Sequence, residues 1–211
     1  MASAVVSTVQ GLWRAIVLAG RRALGLPGQL NTEDRRVLEQ VILPEYASRP
    51  DISRILFVGC AVYTQQYDEL FGDGEYWTID PVARRRRYGS TRHIVDTLQN
   101  LGSHVAPEYF DLIVCNGVLG WGLNTPADAE AALAACFKHL RAGGHLLLGW
   151  NNIAPRNRVV PEDIPALRSF DRGDFGAGRR DRVEIKASNR HVFDFYRKRL
   201  LVTQNDLKNI A

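Results

Sequence analysis

Metal-site spacing is missing from this sequence. No CxxC, HxxxH or HExxH pattern occurs, and the only cysteines are Cys60, Cys115 and Cys136. They are odd in number, far apart and set in apolar stretches. That argues against a disulfide framework or a bound metal and fits reduced, buried thiols in a cytoplasmic protein. Lysine is scarce, four residues among 27 basic ones, so arginine carries nearly all the positive charge behind the net +4. Arginine suits phosphates and carboxylates, yet a charge run is more often a solvated face than a nucleic-acid contact. Acid is absent before Glu33. The apolar residues from Val5 to Leu26 are interrupted by Gln10, Arg14, Arg21 and Arg22, short of the roughly 18 uninterrupted apolar residues of a spanning helix. Three readings of this segment stay open: an arginine-rich transit segment, a helix on a membrane surface, or a helix packed on the domain through Val5, Val9, Leu12, Trp13 and Ile16. Repeats and low-complexity tracts are also absent.

What is present is ordinary globular composition, 45% hydrophobic and 24% charged over 211 residues, enough for one domain with one substantial core. A helical pattern capped at Asn31 or Thr32 runs through Val37, Leu38, Val41 and Ile42 and is expected to stop near Pro44. Apolar runs predict strands at Arg54–Gly59, Tyr76–Asp80, His93–Asp96, Tyr109–Asn116 and His145–Trp150, with closing strands at Val183–Ile185 and Val192–Tyr196. Ala127–Leu140 reads as a helix, with Pro126 at its start and Gly143-Gly144 beyond its end. Residues 152–180 are polar and rich in proline and glycine, and read as an irregular insertion with a short helix near Pro165–Ser169. We take 1–48 as a helical extension and 49–211 as the main domain.

Strands alternating with helices predict a parallel sheet covered on both faces, whose ligand lies beyond the carboxyl ends of the strands. Gly59-Cys60-Ala61, Asp80-Pro81, Asp96-Thr97, Asn116-Gly117 and Trp150-Asn151 should therefore meet on one edge. Asp80 stands 21 residues after Gly59, where a carboxylate can accept both hydroxyls of an adenosine ribose. The intervening loop begins Gly59-Cys60-Ala61-Val62-Tyr63 and lacks the glycines that let backbone approach a pyrophosphate, which argues against a dinucleotide.

In this order, residues 53–152 resemble the class I S-adenosylmethionine-dependent methyltransferase family. Ile55–Ala61 resembles its first cofactor motif and Thr78-Ile79-Asp80 the acidic strand end that holds the ribose. Ile94-Val95-Asp96 resembles the position that reaches the adenine amino group, and Phe110–Asn116 the motif beside the departing methyl. Leu140–Leu146 resembles a leucine, basic residue, proline, glycine, glycine pattern, with Ala142 in place of the proline. The resemblance implies a Rossmann-like methyltransferase fold, a mostly parallel seven-stranded sheet with an antiparallel C-terminal strand. It also implies S-adenosylmethionine as cofactor, held by Gly59, Cys60, Ala61, Tyr63, Asp80, Pro81, Asp96, Thr97, Asn116 and Gly117. Two departures stand out: Phe57 where the family carries an acid that helps receive the methionyl end, and Ala61 and Tyr63 where it carries glycines. Turn and cap chemistry is the competing reading of Asp80 and Asp96, and Asp111, at a strand start, reads as structural.

Methyl transfer needs alignment and exclusion of water more than a base. Asn116 and His191 are the candidates for a catalytic role, His191 against the reading of a satisfied strand-end histidine; His93 and His145 read as structural. Trp121, Trp150 and Asn151 are candidates for enclosing the acceptor. The expected function is methyl transfer to oxygen or nitrogen of a small-molecule metabolite. The alternatives are a nucleic-acid methyltransferase or binding protein using Arg84–Arg87, Arg179, Arg180 and Arg182, and a cofactor-binding scaffold without activity.

Overall fold

The computed structural model describes residues 30–199 apart from residues 156 and 174. The apolar segment from Val5 to Leu26 lies outside the described residues. A twisted sheet organises the rest: β1 (Arg54–Val58), β2 (Glu75–Ile79), β3 (Arg92–Ile94), β4 (Phe110–Asn116), β5 (Leu140–Asn151), β6 (Phe170–Arg172), β7 (Arg182–Glu184) and β8 (His191–Lys198). Their order is β3-β2-β1-β4-β5-β8-β6, with β7 on the same side of β8. β1 to β5 run parallel, while β8 is antiparallel to β5, β6 and β7. The Rossmann-like topology is as expected; the path has seven strands and β7 adds an eighth. The short β6, read from sequence as part of the irregular insertion, holds only three residues and carries no apolar alternation to reveal it.

Alternate residues of the central strands feed two cores, because successive side chains of a strand face opposite ways. Leu56, Val58, Ile113, Cys115, Leu146 and Leu148 pack under α3 (Pro126–His139). Ile55, Phe57, Leu112, Val114 and Leu147 pack under the N-terminal helical segment. Each fully buried Leu, Ile or Val contributes about 1.5–3 kcal/mol. α3 starts where Pro126 fits the first turn and Thr125 Oγ1 accepts from the Asp128 amide at 3.1 Å.

Three local expectations are corrected. The N-terminal helix does not stop at Pro44: α1 (Glu33–Val37) passes through a π-helical turn, Leu38–Ile42, into α2 (Leu43–Ala47). The wider turn accommodates a residue that has no amide to donate. The crossovers before β2, β3 and β4 are 3-10 turns instead of α-helices, since the residues from 59 to 74 and 80 to 91 are too few and too polar to cover a face with a long helix. β5 starts at Leu140 rather than His145, with its register to β4 broken between Phe110 and Leu112, so that Gly143-Gly144 sits in the break. The 3-10 helix Pro165–Ser169 lies where the short helix was expected. Among the described residues all three cysteines are free and buried; burial pushes the Cys60 thiol up to about 11 and Cys115 up to about 12.

Candidate functional site

The carboxyl ends of β1 to β5 and the amino end of β8 meet at one edge of the sheet. A cleft of about 760 Å3 opens there. Its floor is the turn after β1. Gly59 takes φ +85°, a conformation costly for any side chain, and its amide donates to Ile79 O at 2.8 Å, tying β1 to β2. Cys60, Ala61 and Tyr63 continue this floor, and Pro81, Thr97 and Gly117 line the walls from the neighbouring strand ends.

Asp80 is 1% exposed yet lines the cleft. Its Oδ2 accepts from the Cys60 amide at 2.8 Å and from Arg85 Nη1 at 3.1 Å, while Oδ1 accepts from the Val82 amide at 2.8 Å. The turn chemistry raised as the rival reading is therefore real, and it holds the carboxylate at the border of the cleft. Arg85 comes from the arginine run, a 3-10 turn at Ala83–Tyr88 with no buried residue. Asp96 also lines the cleft. Its carboxylate accepts from the Thr97 amide, Asn100 Nδ2 and His104 Nε2 at 2.7, 2.9 and 2.8 Å. The His104 contact, followed by the other two, holds its acid form down to about 2. It remains a charged acceptor at neutral pH.

The opposite wall is a buried polar chain. His191 Nδ1 lies 2.8 Å from Asn151 Oδ1, and its Nε2 lies 3.0 Å from Asn116 Oδ1. Burial pushes the imidazole down to about 4, with Arg35 adding to the shift and Asp34 opposing it. Neutral imidazole donates at one nitrogen and accepts at the other, so one amide turns its NH2 towards the ring. With both nitrogens engaged, His191 positions Asn116 and Asn151 more readily than it takes up a proton. Gly149 makes room for this chain: a Cβ there would overlap Asn116 Oδ1 and lie 3.0 Å from His191 Nε2. Gly149→Ala is expected to cost about 1–3 kcal/mol as an overpacked site and to weaken cofactor binding by displacing Asn116. Urea unfolding and a ligand titration on the variant check both.

Of the candidate cofactor, catalytic and acceptor residues read from sequence, only Trp150 lies away from the cleft. It is 3% exposed, packs in the α3-side core, and donates Nε1 to Asp194 Oδ2 at 2.8 Å. Asp194 is buried and also takes Arg172 and Arg182, so this indole belongs to a charged hub that pins β5, β6 and β7 to β8. A strand-end aromatic reads the same in sequence whichever face it takes. Trp121, by contrast, is 62% exposed at the cleft's rim. His93 holds Thr78 Oγ1 at 2.8 Å, and Asp111 accepts from Ser53, Arg54 and Arg141, both structural as read. Sequence reasoning missed Asp34, Arg35 and Asn189, which also line the cleft; Phe57, in place of an acid, was the one signal that another element supplies charge there.

Residues 56–148 match the sequence family described as a methyltransferase domain. No curated protein matches the chain. Among solved structures, the N-methyltransferase NodS from Bradyrhizobium japonicum WM9 superposes with a TM-score of 0.59 at 21% identity, over 81% of this chain and 100% of that one. Its complex with S-adenosyl-L-homocysteine gives 0.59 at 18% identity, over 78% and 87%. The Burkholderia thailandensis 1,6-didemethyltoxoflavin-N1-methyltransferase gives 0.51 at 17% identity, over 92% and 90%. The Thermus thermophilus 16S rRNA N2 G1207 methyltransferase gives 0.50 at 18% identity, over 83% of this chain and 42% of that one.

Proposed function

We propose that the chain is a class I, Rossmann-like S-adenosylmethionine-dependent methyltransferase and that it methylates nitrogen or oxygen of a small molecule; the methyltransferase-domain match over residues 56–148 and the shared fold support the first part. The observation that carries this reading is the size of the cleft. At about 760 Å3 it lies within the roughly 300–1,000 Å3 range of small-molecule sites. The lining continues from Asp80 and Asp96 to Trp121, Asn151 and His191, and it is at this far end that an acceptor would meet the cofactor. The residues fit the cofactor: a turn that only glycine adopts easily at Gly59, a buried carboxylate at Asp80, and a charged acceptor at Asp96.

The cofactor supplies an activated methyl on a sulfonium with a good leaving group. What remains for the protein is placement. Asp80 receives ribose hydroxyls, Asp96 an exocyclic amine, and the Asn116–His191–Asn151 chain fixes the wall beside the transferring group. An acceptor that is already unprotonated at its reacting atom needs no base, which agrees with an imidazole committed at both nitrogens. Methyl transfer to a panel of amines, heteroaromatic nitrogens and phenols, run beside total RNA, tests this reading. Turnover on a small acceptor supports it. Turnover on RNA alone, with affinity falling steeply as salt rises, would replace it with the nucleic-acid alternative.

We further propose that residues 1–48 close the cleft, since Leu30, Thr32, Asp34 and Arg35 line it. Among the described residues no helix is long and apolar enough to cross a membrane. Deleting residues 1–26 is expected to leave cofactor binding intact and remove most turnover. Full turnover in the truncated protein would assign that segment to targeting instead.

A further inference from the structure

Arg35 is a buried cation in the wall of the cleft. Its residue is 8% exposed. The guanidinium donates Nη1 to Tyr67 Oη at 3.0 Å and lies over the Tyr63 ring, 4.5 Å from its centroid. Among the described residues no carboxylate comes within ion-pair distance of it; Glu39 meets the guanidinium only through the Tyr67 hydroxyl, which donates to Glu39 Oε1. The side chain below is Phe57, edge-on to Tyr67 with ring centroids 5.3 Å apart, so the strand floor contributes no negative charge. Taking a cation out of water without a counter-ion is costly. Such a site is stable when a ligand supplies the missing anion, and guanidinium is built to grip a planar carboxylate.

Resting on the methyltransferase reading, we infer that Arg35 binds the carboxylate of the cofactor's methionyl group. The order of residues along the cleft supports this end of the cofactor. Adenosine seated at Asp80 and Asp96 leaves the amino-acid portion to extend past Gly59 along the loop that carries Tyr63, and Tyr63 is the ring on which Arg35 rests. Tyr67 and Tyr63 hold the guanidinium from two sides, which pre-organises it before the ligand arrives. α1 thereby supplies a contact to the methionyl end, from a cation to its carboxylate, where strand β1 offers no charge at Phe57.

The test compares two ligands with the same adenosine and sulfur. S-Adenosylhomocysteine carries the amino-carboxylate, and 5′-methylthioadenosine lacks it. Both are titrated calorimetrically into the full chain and into its Arg35→Met and Arg35→Lys variants. Arg35→Met is expected to weaken S-adenosylhomocysteine by about 10–100-fold, the loss of a charge-assisted hydrogen-bonded pair. Affinity for 5′-methylthioadenosine should stay within about twofold, and Arg35→Lys should recover part of the loss. Retained 5′-methylthioadenosine binding also reports that the variant is folded. Parallel weakening of both ligands, or no weakening of either, overturns the assignment. If the unaltered protein binds neither ligand, the methyltransferase reading fails before Arg35 is in question.

Discussion

Asp80→Ala is expected to weaken binding of S-adenosylmethionine and of its demethylated product by about 10–150-fold, the equivalent of roughly 1.5–3 kcal/mol for a lost charge-assisted hydrogen bond. The carboxylate is almost fully buried and its oxygens already order the Cys60 and Val82 amides. Alanine therefore removes a ligand contact and loosens the turn that forms the floor. Asp80→Asn separates these effects, because one carbonyl oxygen can still serve one of the two amides. The asparagine variant should keep the stability of the parent more closely than alanine does while still losing affinity. Isothermal calorimetry beside thermal unfolding reads both quantities; unchanged affinity in both variants would remove Asp80 from the site.

The second large effect is on stability in mild acid. His191 titrates near 6.5 when unfolded and near 4 in the folded chain, because burial disfavours the cation. Between these values the unfolded chain binds a proton that the folded chain refuses. Stability is therefore whole above about pH 6.5 and falls as pH drops towards 4, by up to about 1.4 kcal/mol per pH unit and on the order of 3 kcal/mol in all. His93, also held down by burial, acts in the same direction. Asp96 acts lower, between the ordinary carboxylate range and about 2. His191→Gln cannot titrate and isolates the first contribution. Urea unfolding at pH 7.5, 5.5 and 4.5 should show a shallower acid loss in the variant. Equal slopes in the two proteins would mean that His191 is not the group responsible.

The sheet was legible because each parallel strand is a short apolar run ended by glycine, aspartate or asparagine, and those ends are the cleft. Gly59, Asp80, Asp96 and Asn116 were found by their place in that sequence of runs alone. What escaped has a physical reason in each case. Trp150 carries the same strand-end signal as Asn151 but faces the core, and the facing is decided by Asp194, 44 residues away. Arg35 and Asp34 sit on a helix whose periodicity announces only its apolar side, so nothing local marks the residues that turn to the cleft. Asn189 lies just before β8, and it becomes a wall residue only when β8 returns antiparallel to β5. The Asn116–His191–Asn151 chain likewise joins residues 40 and 75 apart, a contact that pairing creates and spacing does not. Gly149 could be seen as a glycine within a strand, but its purpose depends on the amide that crosses it.

The central claim is that this cleft takes S-adenosylmethionine, with adenosine at the ends of β2 and β3. Titration of the full chain with S-adenosylhomocysteine, followed by nuclear magnetic resonance of backbone amides, tests it most directly. The expected result is one molecule bound per chain, with the largest shifts at Gly59, Cys60, Val82, Thr97 and Gly117. Absence of binding, or binding whose shifts cluster away from these five amides, would contradict it.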